Sequence, residues 1–325
     1  MNGRSPGQTR LYFIVPCYND AEVLPVSVPA FLGKLDALSR EGLVSRESRL
    51  VLLDDGSSDG TWAAIEAART SDGRVVGIKM AHNAGEQNTL LAGLSYAETR
   101  CDCAITMDSD LQDDVNAVDE MLRRFFAGDE LVLGVRSRRK DDPFFERLSS
   151  GLFYRLMTVA GTGQIPEHAN YRLMSRKAIG QLLAHTETYY YLPCVVSNMG
   201  LRRSVVYHER FARAAGSSGY TVIKKLRLAL DAVFTHSAFP LRFISAAASL
   251  SALLFAVSAG FALAGLAQGR REPLLWAAAS LFFFAFELLL LLRVLGAYLY
   301  KTFAEARRAP PRQTETVLGD GQSEP

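Results

Sequence analysis

Two aspartates one residue apart, Asp108 and Asp110, close the apolar run in CAITMDSDLQDD, and Gln112 follows two residues later. Carboxylates that close at the end of a buried strand repel each other unless a cation lies between them. A hard divalent ion such as Mg2+ or Mn2+ takes oxygen ligands and keeps positions open for substrate phosphates. A D-x-D pair alone arises by chance in acidic turns, and helix N-capping is its plain alternative. Asp113 or Asp114 fits that capping role better, with Asp110 able to share it. A second acidic stretch, Asp54-Asp55-Gly56-Ser57-Ser58-Asp59-Gly60, joins a strand end to a turn and a helix start. Its glycines permit tight turns. Asp59 reads as an N-cap, whereas Asp55 at the strand end is suited to accept hydrogen bonds from a nucleobase or ribose. The chain has no G-x-x-x-x-G-K-S or G-x-G-x-x-G segment, so a glycine-rich cradle does not hold phosphates. That duty falls to the metal and to permanent cations. Arg136 and Arg213 are the candidates, because a guanidinium contacts phosphate oxygens in bidentate fashion.

These groups act together only if the fold gathers them. Apolar runs at Leu11–Val15, Arg49–Leu53, Arg74–Met80, Cys103–Met107 and Glu130–Val135 read as strands. Helical spacing marks Glu22–Leu38, Thr61–Arg69, Glu86–Glu98 and Val115–Phe126. The alternation predicts an α/β fold: a mostly parallel, Rossmann-like sheet with helices on both faces. Such sheets bind ligands at the carboxyl ends of their strands. The polar residues collect there: Tyr18-Asn19-Asp20, Asp54-Asp55-Gly56, His82-Asn83, Asp108-Ser109-Asp110 and Arg136.

Beyond residue 240 the composition changes. Phe243–Ala267 is 25 residues without a charge, roughly 37 Å as a helix and enough to cross a ~30 Å hydrocarbon core. A polar knot at 268–272 precedes a second apolar stretch, 273–299, interrupted by Glu287 and Arg293. The reading is a transmembrane helical hairpin. Lys224, Lys225, Arg227 and Arg242 precede it, and Lys301, Arg307, Arg308 and Arg312 follow it. The positive-inside rule then places both ends in the cytoplasm. The N-terminus lacks a signal-peptide pattern, which also predicts a cytoplasmic 1–221 domain. Residues 144–160 and 222–242 read as interfacial amphipathic helices that bring the site to the headgroups. The 301–325 tail is expected to be partly disordered, from about residue 309. Glu287 within the span should face protein, which raises the expectation of a homo-oligomer through these helices.

Composition excludes several classes. Hydrophobic residues make up 49% and charged residues 22%, which rules out a disordered chain. Lys+Arg 36 against Asp+Glu 34 leaves +2, which argues against nucleic acid as a partner. Four cysteines at irregular spacing form neither a disulfide framework nor a C-x-x-C site, and read as reduced thiols.

The stretches IVPCYNDAEVLP, VLLDDGSSDGTW, HNAGEQNTLLAGL, AITMDSDLQDD, LGVRSRR, HANYRLMSRKAI, ERFARAAGSSGYT and LGAYLYKTFAEARRAP together resemble family 2 glycosyltransferases of GT-A fold. The branch they resemble is that of dolichyl-phosphate mannose synthase and bacterial polyisoprenyl-phosphate glycosyltransferases. The likeness runs from about residue 11 to 310. It implies an inverting transfer of a hexose from a UDP- or GDP-sugar to a polyisoprenyl phosphate at the cytoplasmic face of the plasma (inner) membrane, with Mg2+ or Mn2+. It also implies residue roles. Pro16, Tyr18 and Asp20 fall where the family contacts the nucleotide, and Leu53 and Asp55 match base and ribose contacts. Asp108, Ser109 and Asp110 match the diphosphate–metal motif with Gln112 as a further metal neighbour, and Arg136 and Arg213 match arginines near the phosphates.

Three departures stand out: Asn170 in HANYR where the family often has an aspartate considered a catalytic base, Gly219 for a usual lysine, and Ala297 for a usual glutamate. Asn170 is compatible with activity, since an acceptor phosphate is already ionised near neutral pH and needs no base. Two alternatives remain at this level: transfer to another lipid or a polysaccharide, and a catalytically silent membrane scaffold.

Overall fold

The computed structural model describes residues 5–137, 155, 158, 168–185, 192–211, 239–269, 272–306 and 314–319. The chain divides into two units. The first contains Met1–Gly151, Gly163–Tyr220 and Pro310–Pro325; the second contains Leu152–Thr162 and Thr221–Ala309.

In the first unit, strands and helices alternate as β1 (Leu11–Cys17), α1 (Leu24–Arg40), β2 (Arg49–Asp54), α2 (Thr61–Ser71), β3 (Val75–Met80), α3 (Glu86–Glu98), β4 (Cys103–Thr106), α4 (Ala117–Phe126) and β5 (Leu131–Arg136). After these come β6 (His168–Ser175), α5 (Arg176–Ala184), α6 (Leu192–Asn198) and β7 (Arg203–His208). The strands are apolar at nearly every position, as strands covered on both faces must be. Phe13 and Val15 of β1 face α1 and α4 residues such as Phe31, Leu35 and Met121. Tyr12 and Ile14 face α3 and α5 residues such as Leu91, Leu94 and Ile179. Two cores, one per face, confirm helices on both sides of the sheet.

The eight-stranded order is β7-β5-β6-β4-β1-β2-β3-β8. Neighbours β1–β2, β2–β3, β1–β4 and β5–β7 are parallel. Strand β6 is antiparallel to both β4 and β5 and separates them. Its central Arg172 is fully buried, which breaks the apolar pattern by which a core strand is recognised. Pro16 is tolerated inside β1 for a geometric reason. The Ile14 carbonyl accepts from Met107 N (3.1 Å) on the β4 side, so the nitrogen of Pro16 faces that side as well, two residues beyond the last β1–β4 pair, Ile14–Thr106. No ladder partner is lost there.

Strand β8 (Thr314–Leu318) corrects the expectation of disorder from residue 309. It pairs antiparallel with β3, from Gly77–Leu318 to Met80–Thr314. Threonine and valine in TETVL suit a strand, and Lys79 Nζ lies 3.2 Å from Glu315 Oε1. Without β8, β3 would present an open edge.

In the second unit, α7 (Phe239–Ala267) and α8 (Glu272–Ala306) form a hairpin. Both are long and apolar enough to cross a membrane, with mean hydropathy of 2.1 and 2.2. A pair of soluble core helices would be covered by protein, whereas none of the α8 window is buried. Phe255 stacks on Phe284, with ring centroids 6.2 Å apart, and Ser258 hydrogen-bonds Ser280 at 2.5 Å. The same antiparallel register carries buried Ser251 to the level of Glu287. Glu287 Oε2 is buried with no hydrogen-bond partner among the described residues. The segments 144–160 and 222–238 fall almost wholly outside the described residues.

Candidate active site

Four strand ends and the first turn of α3 converge around the acidic loop after β4. Asp110 Oδ1 accepts from its own Gln112 N (3.1 Å), and Leu111 between them has a positive φ of 56°. That left-handed residue is an uncommon, strained conformation for leucine, and it folds the loop sharply after Asp110. The loop is then clamped from the β7 side: Phe211 N donates to Gln112 O (2.8 Å) and Arg210 Nη2 to Gln112 Oε1 (2.8 Å). The side-chain oxygen of Gln112, expected near a metal, is therefore engaged by Arg210.

Asp108 is partly buried. Its carboxyl is pushed up to about 8, first by burial and then by the charges of Glu86, Asp113 and Asp110, against the opposing Arg136. Three carboxylates around Asp108, those of Glu86, Asp113 and Asp110, thus act against the single guanidinium of Arg136. Arg136, last residue of β5, turns its fork to Asp113: Nε to Oδ1 at 2.8 Å and Nη2 to Oδ2 at 3.1 Å, with Asp108 Oδ2 at 3.4 Å from the same Nη2. Burial alone would lower the Arg136 pKa, but the bond to Asp113 outweighs it and the guanidinium stays charged. Arg136 therefore orients the acidic loop. Of the two aspartates considered for capping, Asp113 is instead the buried counter-ion of Arg136. Asp114 accepts from Asn116 N (2.9 Å), the residue at the cap position of α4.

Residues from β1 and β2 form the adjoining wall. Ser109 Oγ donates to Asp20 Oδ2 (2.7 Å), tying the end of β1 to the D-x-D loop. Asp20 N donates to Thr61 Oγ1 (2.8 Å), so the same residue is held by the start of α2. Tyr18 is half exposed, at 51%, and presents its ring to solvent at this edge. Asp59, expected as the N-cap of α2, lies one residue before the cap position, which Gly60 fills; it accepts from Thr61 N (2.9 Å) at the first residue of the helix. Asp55 Oδ1 accepts from Ala84 N (2.7 Å) and Thr89 Oγ1 (2.8 Å), which fixes the loop leading into α3. Burial raises its pKa and these bonds oppose the rise. Gly56, at φ 68°, lies so close to that loop that a Cβ would sit 2.6 Å from Asn83 N.

Pro16 and Leu53 are register partners in the sheet. Leu53, however, is completely buried, with its side chain packed against Gly93 of α3. It is a core residue and offers no surface to a base; motif matching locates the position but not the face its side chain takes. Arg213 lies outside the described residues. Asn170 does reach the site: its Nδ2 donates to Glu86 Oε1, and its Oδ1 accepts from Arg172 Nη2 (2.8 Å). Asp113, Arg210, Arg172 and Glu86 were not singled out from sequence. Glu86, Arg172 and Arg210 lie inside the stretches that carry the family resemblance, and Asp113 is a third carboxylate in DSDLQDD, but none was assigned a role in the site.

The profile of the family described as "Glycosyl transferase family 2" matches residues 12–206 of the chain. The chain belongs to glycosyl transferase family 2. Its first unit has a mixed, mostly parallel sheet, and this family 2 protein is a glycosyltransferase. It is 33% identical to the uncharacterized glycosyltransferase YkoT of Bacillus subtilis (strain 168), over 98% of this chain and 95% of that protein. It is 32% identical to the bactoprenol glucosyl transferase of Shigella phage SfX, over 72% of this chain and 74% of the relative. It is 28% identical to the undecaprenyl-phosphate 4-deoxy-4-formamido-L-arabinose transferase of Proteus mirabilis (strain HI4320), covering 94% and 93%.

Among the described residues, no three His, Cys, Asp or Glu side chains form a metal cage. The donor set fits a different kind of site. Mg2+ and Mn2+ are commonly held by one or two carboxylates while water and substrate phosphates fill the remaining positions, and the acidic loop supplies such carboxylates in Asp108 and Asp110.

Proposed function

We propose that this glycosyltransferase moves a hexose, with inversion, from a UDP- or GDP-sugar to a polyisoprenyl phosphate at the cytoplasmic face of the plasma membrane. The observation that carries this reading is the apolar α7–α8 hairpin in the same chain as a family 2 catalytic unit. A lipid acceptor gives the hairpin a purpose that a soluble acceptor would not. Two relatives named for bactoprenol and undecaprenyl phosphate support the acceptor class. That both ends of the hairpin lie on one side of the membrane has support from connectivity: β8 follows α8 in the chain yet belongs to the catalytic sheet, and the excess of Lys and Arg flanking the spans argues that this side is the cytoplasm.

In this reading Tyr18, Asp20 and Asp55 line the nucleotide, while Asp110, with Asp108 beside it, would hold the Mg2+ or Mn2+ on the diphosphate. A bound divalent ion would offset the charge that collects on the leaving diphosphate. Arg136 keeps Asp108 and Asp113 in place, and Arg213 is the remaining candidate for a phosphate contact. An oxygen of the lipid phosphate attacks the anomeric carbon as the bond to the nucleoside diphosphate breaks. That oxygen is already ionised, so Asn170 serves without a base. Association of copies through α8 belongs to the same reading, because a carboxylate at this depth in a span is costly unless protein faces it.

The test is transfer in detergent from a panel of labelled UDP- and GDP-hexoses to undecaprenyl phosphate, with Mn2+, Mg2+ or excess EDTA. The expected result is a sugar-labelled lipid with at least one donor, lost in EDTA. No labelled lipid with any donor overturns the reading; undiminished transfer in EDTA overturns the metal.

A further inference from the structure

Strand β8 follows the hairpin in the chain, and only residues 307–313 separate Ala306, the end of α8, from Thr314. It is thus tethered to the second apolar span and still belongs to the catalytic sheet. Its contacts fall on the two elements that flank one loop, 81–85, which joins β3 to α3. On β3, the pairs Gly77–Leu318, Ile78–Val317 and Lys79–Thr316 are followed by Met80–Thr314. Glu315 is the extra residue in that step, so β8 carries a bulge opposite the end of β3 that enters the loop. Bulges of this kind recur beside functional sites. On α3, Tyr96 packs against the same apolar cluster as Val317, and a Cβ on Gly319 would sit 3.1 Å from the Tyr96 hydroxyl. Arg69 fastens the far end, donating from Nη2 to Gly319 O (3.5 Å) and from Nη1 to Val75 O (2.8 Å).

The braced loop supports the wall assigned to the nucleotide. Ala84 N in the loop and Thr89 Oγ1 in α3 both donate to Asp55 Oδ1. Gly56 lies against Asn83 so closely that no Cβ fits between them. A shift of β3 against α3 would carry the donors of Asp55 with it, and β8 is bound to both elements. We propose that β8 is a positioning strand for the nucleotide wall, so that docking of β8 on β3 and binding of a nucleoside diphosphate strengthen one another. This rests on the reading above in which Asp55 lines the nucleotide, and it adds a regulation of that site: the wall is complete once the chain has returned from the hairpin. Such a coupling is reciprocal, since each event must favour the other by the same factor.

The experiment uses the full chain in detergent with Mn2+, and UDP and GDP as the probes. In the wild type, saturation with the nucleotide that binds should slow hydrogen exchange at the amides of 314–318 by about 10-fold, within the usual range of couplings between sites. Val317→Asp sets a carboxylate against the apolar cluster and loosens β8. Its nucleotide affinity should fall by about the same factor at a temperature where circular dichroism shows it folded. Adding Lys79→Cys and Thr316→Cys to that variant puts thiols on a directly opposed pair, whose Cα spacing in an antiparallel ladder suits a disulfide. The native thiols are buried, so oxidation should restore the affinity and reduction should remove it again. A merely structural strand would move the thermal midpoint and leave the affinity of the folded molecules alone. Three results overturn the proposal: unchanged exchange at 314–318 on saturation, wild-type affinity in a chain ended at residue 309, or equal affinity of the oxidised and reduced triple variant once mass confirms the disulfide. A wild type that binds neither UDP nor GDP overturns the nucleotide reading itself.

Discussion

Asp110 and the four cysteines show how burial divides residues that look alike in sequence. Asp110 is 8% exposed and accepts a local hydrogen bond from the Gln112 backbone. Asp110→Asn keeps that acceptor, so the thermal transition should stay where it is. Transfer should nevertheless fall about 10²–10³-fold, the scale seen when one electrostatic stabiliser of a developing charge is removed. Equal turnover of the variant and wild type would remove Asp110 from the metal site. The cysteines take the opposite course. Cys17, Cys101, Cys103 and Cys194 are all buried. Burial pushes the thiol pKa of Cys101 up to about 12 and raises Cys17 and Cys103 well above the ordinary value. Since the thiolate is the nucleophile, these thiols should resist iodoacetamide at pH 8 and react only on unfolding. Mass spectrometry of the alkylated native protein tests this, and rapid native labelling would contradict the burial.

At the scale of elements, β8 is the piece that can be removed most cleanly. Ending the chain at residue 309 strips four register pairs from β3 and exposes a flat edge that invites pairing with another chain. Such a truncation should lower the thermal midpoint and increase association on warming, read by scanning calorimetry and light scattering in detergent. An unchanged midpoint would mean that β8 contributes nothing to the sheet. The element pattern of residues 11–136 was largely legible: α3 matches its expected limits, and β1–β5 agree to within one or two residues. Strand β6 was not legible, because buried Arg172 interrupts its apolar alternation and its partners β4 and β5 are distant in sequence. Strand β8 was hidden for a related reason. Its composition resembles a polar tail, and only the open edge of β3 makes it a strand.

At the scale of the whole molecule, the predictions concern the membrane. Gln268 and Thr70 are both exposed, one in the α7–α8 turn and the other on α2. With the native thiols buried, Gln268→Cys should be labelled by a membrane-impermeant maleimide on intact cells, and Thr70→Cys only after permeabilisation. The reverse pattern would overturn the proposed orientation. Glu287, level with Ser251 and lacking a hydrogen-bond partner for Oε2, is costly inside hydrocarbon unless protein faces it. Glu287→Leu should therefore weaken association of copies in detergent while leaving nucleotide-sugar binding intact. An unchanged mass by light scattering would count against that contact.

Sequence alone determined the α/β class, the acidic strand ends, the apolar hairpin and the likeness to family 2 glycosyltransferases. These are local properties, written in periods of two and 3.6 residues, in runs of apolar length and in short motifs. Tertiary structure decided what each polar group faces. It placed Leu53 in the core against Gly93, turned Arg136 to Asp113, and set Asn170 between Arg172 and Glu86. Except for Asn170 and Arg172, which are two residues apart, those pairings join residues 23 to 84 positions apart. No local pattern encodes them, because a strand's face and a side chain's partner depend on which other strands and helices pack beside it.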